Sequence, residues 1–268
     1  MQRTELALLA GVVLIASPAL ASLGAQETLV PEIHMAESPG AAVAISQFSE
    51  AQFPVFKGLL KGEDAALQSA SFVLTNTSDK AIFAISAEWL LTGRDGRERR
   101  WSFHSDNFMF PKAGPVLKPH DKLFVAPGLF VPASTVGNPG VSGDMSAGLG
   151  RELGKAARVE VVVDCLIFED GELLGPNKRG YSYELQTRKQ AAEAVVQAVI
   201  AAQQKGEPPS RAVGELSAAK YDRGDFINKC KTRFAKGLLN APNFQAELSR
   251  LQDLPSPPKL YRSNGGTL

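Results

Sequence analysis

The three histidines are the first residues to consider as metal ligands or general bases. They are His34, His104 and His120, separated by 70 and 16 residues. Two histidines that bind one metal from a helix usually stand four residues apart, and no pair has that spacing. The Gly-x-Ser-x-Gly sequence that positions a hydrolase nucleophile is also missing. The sequence therefore predicts no catalytic residue, no metal ligand and no cofactor-binding residue, and no cofactor is expected.

The segment 133–150 is rich in glycine, which some nucleotide-binding loops require. Gly148 and Gly150 are followed by Gly154, so the spacing differs by one residue from the dinucleotide-binding motif. No predicted strand leads into the segment, although that motif needs one. We interpret residues 133–150 as a connector that ends in a short helix over 146–156. Long loops often carry function, so this loop also enters the alternative hypothesis given below.

The two cysteines, Cys165 and Cys230, both fall on predicted apolar faces, one on a strand and one on a helix. A disulfide bond between them would close a long loop and stabilise the fold by roughly 3–4 kcal/mol. The alternative is two buried free thiols that pack as small apolar groups. Sequence does not supply the geometry that would decide between the two.

Basic residues crowd one predicted hairpin turn. Arg94, Arg97, Arg99 and Arg100 surround Asp95-Gly96, and Trp101 follows directly. Arginine and tryptophan are enriched at binding hot spots, so these five residues are the candidate partner-binding site. Trp101 is equally compatible with a core position. A second basic stretch, 220–236, is interpreted as a solvated helix face.

The N-terminus has the layout of a secretory signal peptide. Arg3 precedes an apolar run over 6–16, Pro18 ends the run, and Ala19-Leu20-Ala21 supplies the small residues that signal peptidase recognises. We predict cleavage after Ala21 and a periplasmic or secreted protein. No later stretch is apolar for long enough to cross a membrane, so no transmembrane segment is expected in the mature chain.

Composition is that of an ordinary globular protein. The 268 residues are 44% hydrophobic and 21% charged, with a net charge of +1. This near-neutral balance gives no electrostatic reason to expect a nucleic-acid partner.

The stretch 158–168 organises the predicted fold. Alternation places Val159, Val161, Val163, Cys165 and Ile167 on one face, and Asp170-Gly171 then predicts a hairpin turn. A second long strand covers 81–92, and shorter apolar runs separated by turn residues fill the rest of 41–185. This rhythm predicts an antiparallel immunoglobulin-like β-sandwich, although the Cys…Trp…Cys pattern of antibody domains is absent.

The period changes after Leu185. Ala192, Val195, Val196 and Val199 form an apolar helical stripe, and further helices are predicted over 211–221, 225–239 and 244–254. Asp225 is the predicted cap of the third helix. The domain prediction is therefore a signal peptide (1–21), an extended lead-in (22–40), a β-sandwich (41–185), a helical region (186–254) and a disordered tail (255–268).

Two functional hypotheses follow. The first is a secreted or periplasmic, non-enzymatic binding or structural module of the cell envelope that has an envelope protein as its partner. The second is an extracytoplasmic hydrolase with a site between the sandwich and the glycine-rich loop 133–150. A cleft with converging carboxylates, or a Ser–His pair near His104 or His120, would favour the hydrolase.

Overall fold

The computed structural model describes residues 31–35, 37–60, 65–108, 114–136, 147–222, 224–257 and 259–262. These residues form mixed α and β structure with two sheets. The predicted signal peptide and its cleavage site lie outside the described residues. No helix in the described ranges is long and apolar enough to cross a membrane.

Within the described residues, nine strands build the two sheets. The first sheet has the order β1-β8-β4-β5, with β9 paired to β8, and the second has the order β2-β3-β6-β7. Pairing is antiparallel except between β1 and β8, which run parallel. In chain order the strands are β1 (Glu32–Met35), β2 (Val43–Gln47), β3 (Phe72–Asn76), β4 (Ile82–Gly93), β5 (Glu98–Asp106), β6 (Lys122–Ala126), β7 (Leu129–Pro132), β8 (Ala156–Phe168) and β9 (Leu173–Leu174).

Six α-helices complete the described fold, with two short 3-10 helices over Pro54–Phe56 and Ala133–Thr135. The α-helices are α1 (Ala65–Ser69), α2 (Ala147–Leu153), α3 (Tyr181–Gln204), α4 (Pro209–Ala218), α5 (Phe226–Asn240) and α6 (Phe244–Gln252). Asp225 caps α5 by accepting a hydrogen bond from the Asn228 amide at 3.1 Å, as predicted. The predicted helix over 146–156 is present as α2. Helix α3 begins at Tyr181, five residues before the predicted change of period.

The main core lies between the sheets. Trp89 of β4 is fully buried there, 6.4 Å from Phe72 of β3 between ring centroids, and its indole N–H donates to the Ala70 carbonyl at 2.8 Å. We call the face of the first sheet that meets this core its inner face. The opposite, outer face carries a second core, because helices α3 to α6 pack on it.

The predicted alternation of β8 is wrong beyond Val163. The register pairs Ala87 with Val163 and Ser86 with Cys165, so Asp164 is the extra residue of a β-bulge. After the bulge Leu166 and Phe168 join the main core, whereas Cys165 and Ile167 turn to the helices. The loop before α3 stabilises the bulge, because the amides of Lys178 and Arg179 donate to the Asp164 carboxylate at 2.8 and 3.2 Å.

The C-terminal segment, predicted to be disordered from residue 255, makes specific contacts as far as Arg262. The Tyr261 carbonyl accepts from the Leu173 amide at 2.8 Å, and the Tyr261 hydroxyl lies 2.9 Å from Asp170. Leu254 is buried in the helical core. Residues 263–268 lie outside the described ranges.

Candidate interaction site

The predicted arginine cluster lies at the hairpin that joins β4 and β5. The Gly93 amide donates to the Arg97 carbonyl at 2.8 Å and closes a three-residue loop, Arg94-Asp95-Gly96. Gly96 has φ +74°, which glycine adopts without steric cost, and the Asp95 carboxylate accepts from the Arg97 amide at 3.1 Å. The Asp-Gly signal in the sequence therefore identified this turn correctly.

The arginines do not form one continuous patch. Successive strand residues point to opposite faces, so Arg99 projects from the inner face and Arg100 from the outer face. Arg99 pairs with Glu152 of α2 at 3.2 Å. Trp101, the cross-strand neighbour of Trp89, packs against the main core and is half-buried. Trp101 is thus a core-edge residue rather than an exposed anchor.

Two hollows adjoin the hairpin, one on each face of the first sheet. The outer hollow measures about 410 Å³ and lies over strands β8, β4 and β5. The inner hollow measures about 340 Å³ and lies between the hairpin turn, the end of α2 and the start of β8. The charged residues that line them are Glu98, Arg99, Arg100, Arg158 and Glu160 for the outer hollow, and Arg94, Asp95, Arg97, Arg99, Glu152 and Lys155 for the inner one.

Positive charge predominates around the hairpin. Six cations and four carboxylates line the two hollows together. Glu152 is engaged by both Arg99 and Lys155, and Asp95 lies 3.4 Å from Arg97. Within the described ranges Arg94 and Arg158 have no ionic partner, and the Arg97 side chain is 85% exposed. This end of the first sheet can therefore offer guanidinium groups to an anionic ligand.

An ion pair between a buried carboxylate and a partly exposed arginine lies beside the outer hollow. The Glu88 side chain is only 4% exposed, yet its Oε1 accepts from Arg179 Nε at 2.6 Å and from the Ser102 hydroxyl at 2.9 Å. Arg100 Nε is 3.9 Å from the other oxygen. Since Arg179 belongs to the loop before α3, this contact ties the helical region to the centre of the sheet.

A second polar cluster joins β5 to α3 further along the strand. Asp106 Oδ2 accepts from Arg188 Nη1 at 2.9 Å and from the Tyr181 hydroxyl, while Arg188 Nη2 lies 2.9 Å from His104 Nε2. Burial, with a smaller contribution from Arg188, lowers the pKa of His104. Burial also raises the pKa of Glu184, which is 3.6 Å from Arg188. These polar groups bond to one another, so the cluster attaches helix α3 to strand β5.

The three histidines lie in separate places. His34 of β1 is 2.8 Å from Glu32, and His120 is 3.0 Å from Asp79 in an exposed turn. No serine hydroxyl in the described part of the chain bonds to any of the three. The same residues contain no group of three or more potential metal ligands. Most of the glycine-rich loop, residues 137–146, lies outside the described residues.

Cys165 and Cys230 are buried free thiols in this structure, which is the second of the two alternatives that the sequence left open, and no disulfide joins them. Cys165 lies on β8 beneath the helices, and burial followed by the charge of Asp164 raises its pKa to about 12. Cys230 lies on α5, where burial again raises the pKa, opposed by the charge of Arg188 and assisted by that of Glu184. The bulge at Asp164 turns Cys165 from the main core to the helical core.

Sequence reasoning found the hairpin arginines but missed Lys155, Arg158 and Glu160. Arg158 and Glu160 stand at the start of β8, on the face that carries Cys165 and Ile167 after the bulge. A change from charged to apolar residues along one strand indicates that a neighbouring layer covers only one end. Without the bulge, alternation groups Arg158 and Glu160 with Leu166 and Phe168 instead, so the sequence did not show which apolar residues follow them on that face.

Comparisons with known proteins assign no class to this fold and site. The chain matches no protein-family model, no curated protein and no solved structure.

Proposed function

We propose that this protein is a secreted or periplasmic, non-enzymatic binding module of the cell envelope, which docks a protein partner at the β4–β5 hairpin. One observation carries the proposal: both hollows described above adjoin the hairpin that the arginine cluster marks. Secretion rests on the sequence of residues 1–21. A rigid sheet end with cations on both faces suits recognition of an anionic partner surface.

Strand order supports an immunoglobulin-like sandwich as the scaffold. The order β2-β3-β6-β7 parallels the A-B-E-D sheet of such domains, and β4 beside β8 parallels strands C and F. The chain crosses between sheets after β1, β3, β5 and β7, in keeping with Greek-key connections. Two features depart from the pattern: β7 follows β6 instead of preceding it, and the outer position beside β8 is shared by β1 and the short β9.

The hydrolase alternative has less support. It requires a site between the sandwich and the loop 133–150, and neither a Ser–His pair nor converging free carboxylates occur in the described ranges. The helices also cover the outer face at the His104 end, where Arg188 and Tyr181 occupy the space around the imidazole.

Site-specific photo-crosslinking in the native envelope tests the binding proposal. A photoreactive residue at Arg97, which is highly exposed, should give a discrete adduct with one protein. The same group at Lys236, an exposed position on α5, is the matched control and should give none. Equal adducts from both positions, or none from Arg97, would overturn the proposal. So would a chain that retains Met1 and remains in the cytoplasm.

A further inference from the structure

Strand β5 has an open edge next to the arginine cluster. It is the last strand of the first sheet, and the only strand it pairs with among those described is β4. An edge of this kind presents backbone donors and acceptors in the geometry that another strand would pair with. The edge matters because it runs between the two hollows, with one on each face of the sheet.

The register identifies which backbone groups are free. Gly93 and Arg97 are a hydrogen-bonded pair, so Leu91 with Arg99 and Trp89 with Trp101 are hydrogen-bonded pairs as well. The residues between them direct their N–H and C=O groups away from β4. These residues are Glu98, Arg100 and Ser102. Their outward backbone groups have no hydrogen-bond partner in the part of the chain that the structure describes.

Side-chain charge selects the kind of strand that could pair there. Arg99 extends from the inner face and Arg100 from the outer face, and Arg94 and Arg97 stand at the adjoining turn. A second copy of β5 would bring arginines close to arginines, which disfavours self-pairing. A strand with two adjacent acidic residues would instead place one carboxylate near Arg99 and the other near Arg100, because neighbouring residues of a strand point to opposite faces.

We infer that the β5 edge over Glu98–Ser102 binds an extended acidic segment of a protein partner by strand addition. Main-chain hydrogen bonds would supply affinity, and the arginines on the two faces would supply selectivity. The inference deepens the binding function proposed above and depends on the same hairpin. It names the chemistry of the partner: a β-prone segment with adjacent carboxylates.

A fluorescent model peptide tests the inference on the purified full chain. The probe alternates threonine and valine and has two adjacent glutamates at its centre; a matched peptide has lysines in their place. Anisotropy should detect binding of the acidic probe only. Substituting Arg99→Gln together with Arg100→Gln should weaken binding by about tenfold or more, since charge-assisted hydrogen bonds are lost. Substituting Lys205→Gln with Lys236→Gln removes the same charge elsewhere and should leave binding unchanged.

Backbone methylation separates strand addition from simple charge attraction. Two N-methylated forms of the acidic probe are compared. In the first form every odd-numbered residue of the peptide carries a backbone N-methyl group, and in the second form every even-numbered residue does. Only one of these two sets of residues can face β5, so one form should lose binding by about tenfold and the other should retain it. Equal affinity for both forms would overturn strand addition, and so would binding of the lysine peptide.

Amide hydrogen exchange provides a second measurement, and it needs no variant. Binding of the acidic probe should slow exchange at Arg100 and Ser102, whose N–H groups face outward. Arg99 and Trp101 already donate to β4 and should change less. Failure of this pattern, together with a specific partner adduct at Arg97, would reject strand addition and leave docking at the hairpin standing. Without that adduct, the proposed function fails as well.

Discussion

Arg179 Nε lies 2.6 Å from Glu88 Oε1, so a residue just ahead of the helical region is bonded to a carboxylate at the centre of the first sheet. Glu88 is buried, whereas the Arg179 side chain is 43% exposed. The pair lies beside the outer hollow and also engages Ser102. It therefore joins three parts of the molecule: β4, the edge strand β5, and the loop that enters α3.

Removing Arg179 should destabilise the fold, because the buried Glu88 carboxylate loses its closest cationic partner. Arg179→Ala leaves Glu88 with only the Ser102 hydroxyl and the more distant Arg100, so the free energy of unfolding should fall by about 2 kcal/mol. Urea unfolding at neutral pH measures this change. Arg211→Ala is the control, since Arg211 pairs with Glu215 at 3.5 Å on an exposed helix face and should cost at most about 0.5 kcal/mol. Equal losses in the two variants would contradict the role given to Glu88.

His104 should make the protein less stable in mild acid. The pKa of His104 is lowered in the folded protein by burial and by Arg188. The neutral imidazole therefore stabilises the fold fully above the ordinary histidine pKa of about 6.5, and that contribution is lost as the pH falls through the lower folded value. His104→Gln should flatten the dependence of unfolding free energy on pH below about 6.5.

The thiols should react only after unfolding. Cys165 is fully buried and its pKa is raised to about 12, and Cys230 is also buried with a raised pKa. Iodoacetamide should leave the native chain unmodified at Cys165, while denaturation without reductant should yield two alkylated cysteines by mass spectrometry. A denatured chain that stays unmodified, with a mass two hydrogens lower, would restore the disulfide.

Gly175 should tolerate a methyl group poorly. A Cβ built there would lie 2.7 Å from the Asp164 carbonyl oxygen, and Gly175 has φ +89°. Gly175→Ala should lower the free energy of unfolding by about 3 kcal/mol, because steric contact adds to the conformational cost. Gly206 has φ +73° with nothing within 4 Å of its built Cβ, so Gly206→Ala isolates the conformational part, about 1 kcal/mol. Thermal unfolding compares the two variants.

Local patterns predicted much of the fold because their causes are local. The hairpin at Asp95-Gly96 depends on the backbone freedom of one glycine, and the cap at Asp225 depends on an amide three residues away. The apolar stripe of α3 follows from helix geometry. Beyond Val163 the alternation of β8 predicted the wrong faces for its residues. The β-bulge that reverses those faces depends on loop residues 13 to 15 positions further along the chain.

Some residues of the candidate site could likewise be predicted from the local sequence, and others could not. The arginine cluster over Arg94–Arg100 was visible because its members lie within seven residues of the sequence. Arg158 and Lys155 join them only through the pairing of β4 with β8 and the position of α2. Such partners cannot be found from spacing along the chain, since about 60 residues separate them from the hairpin.

By itself the sequence determined the β-to-α order of the chain and the charged hairpin, since each depends on neighbouring residues and on a repeating period; the secretory layout of residues 1–21 stays a prediction from the sequence. Tertiary structure alone decided that Arg99 and Arg100 flank two hollows on opposite faces of the sheet, that Cys165 faces the helices and that β5 is an edge. These are consequences of which strands pair and which face each layer covers. Such pairings depend on packing between distant residues, and no local pattern encodes them.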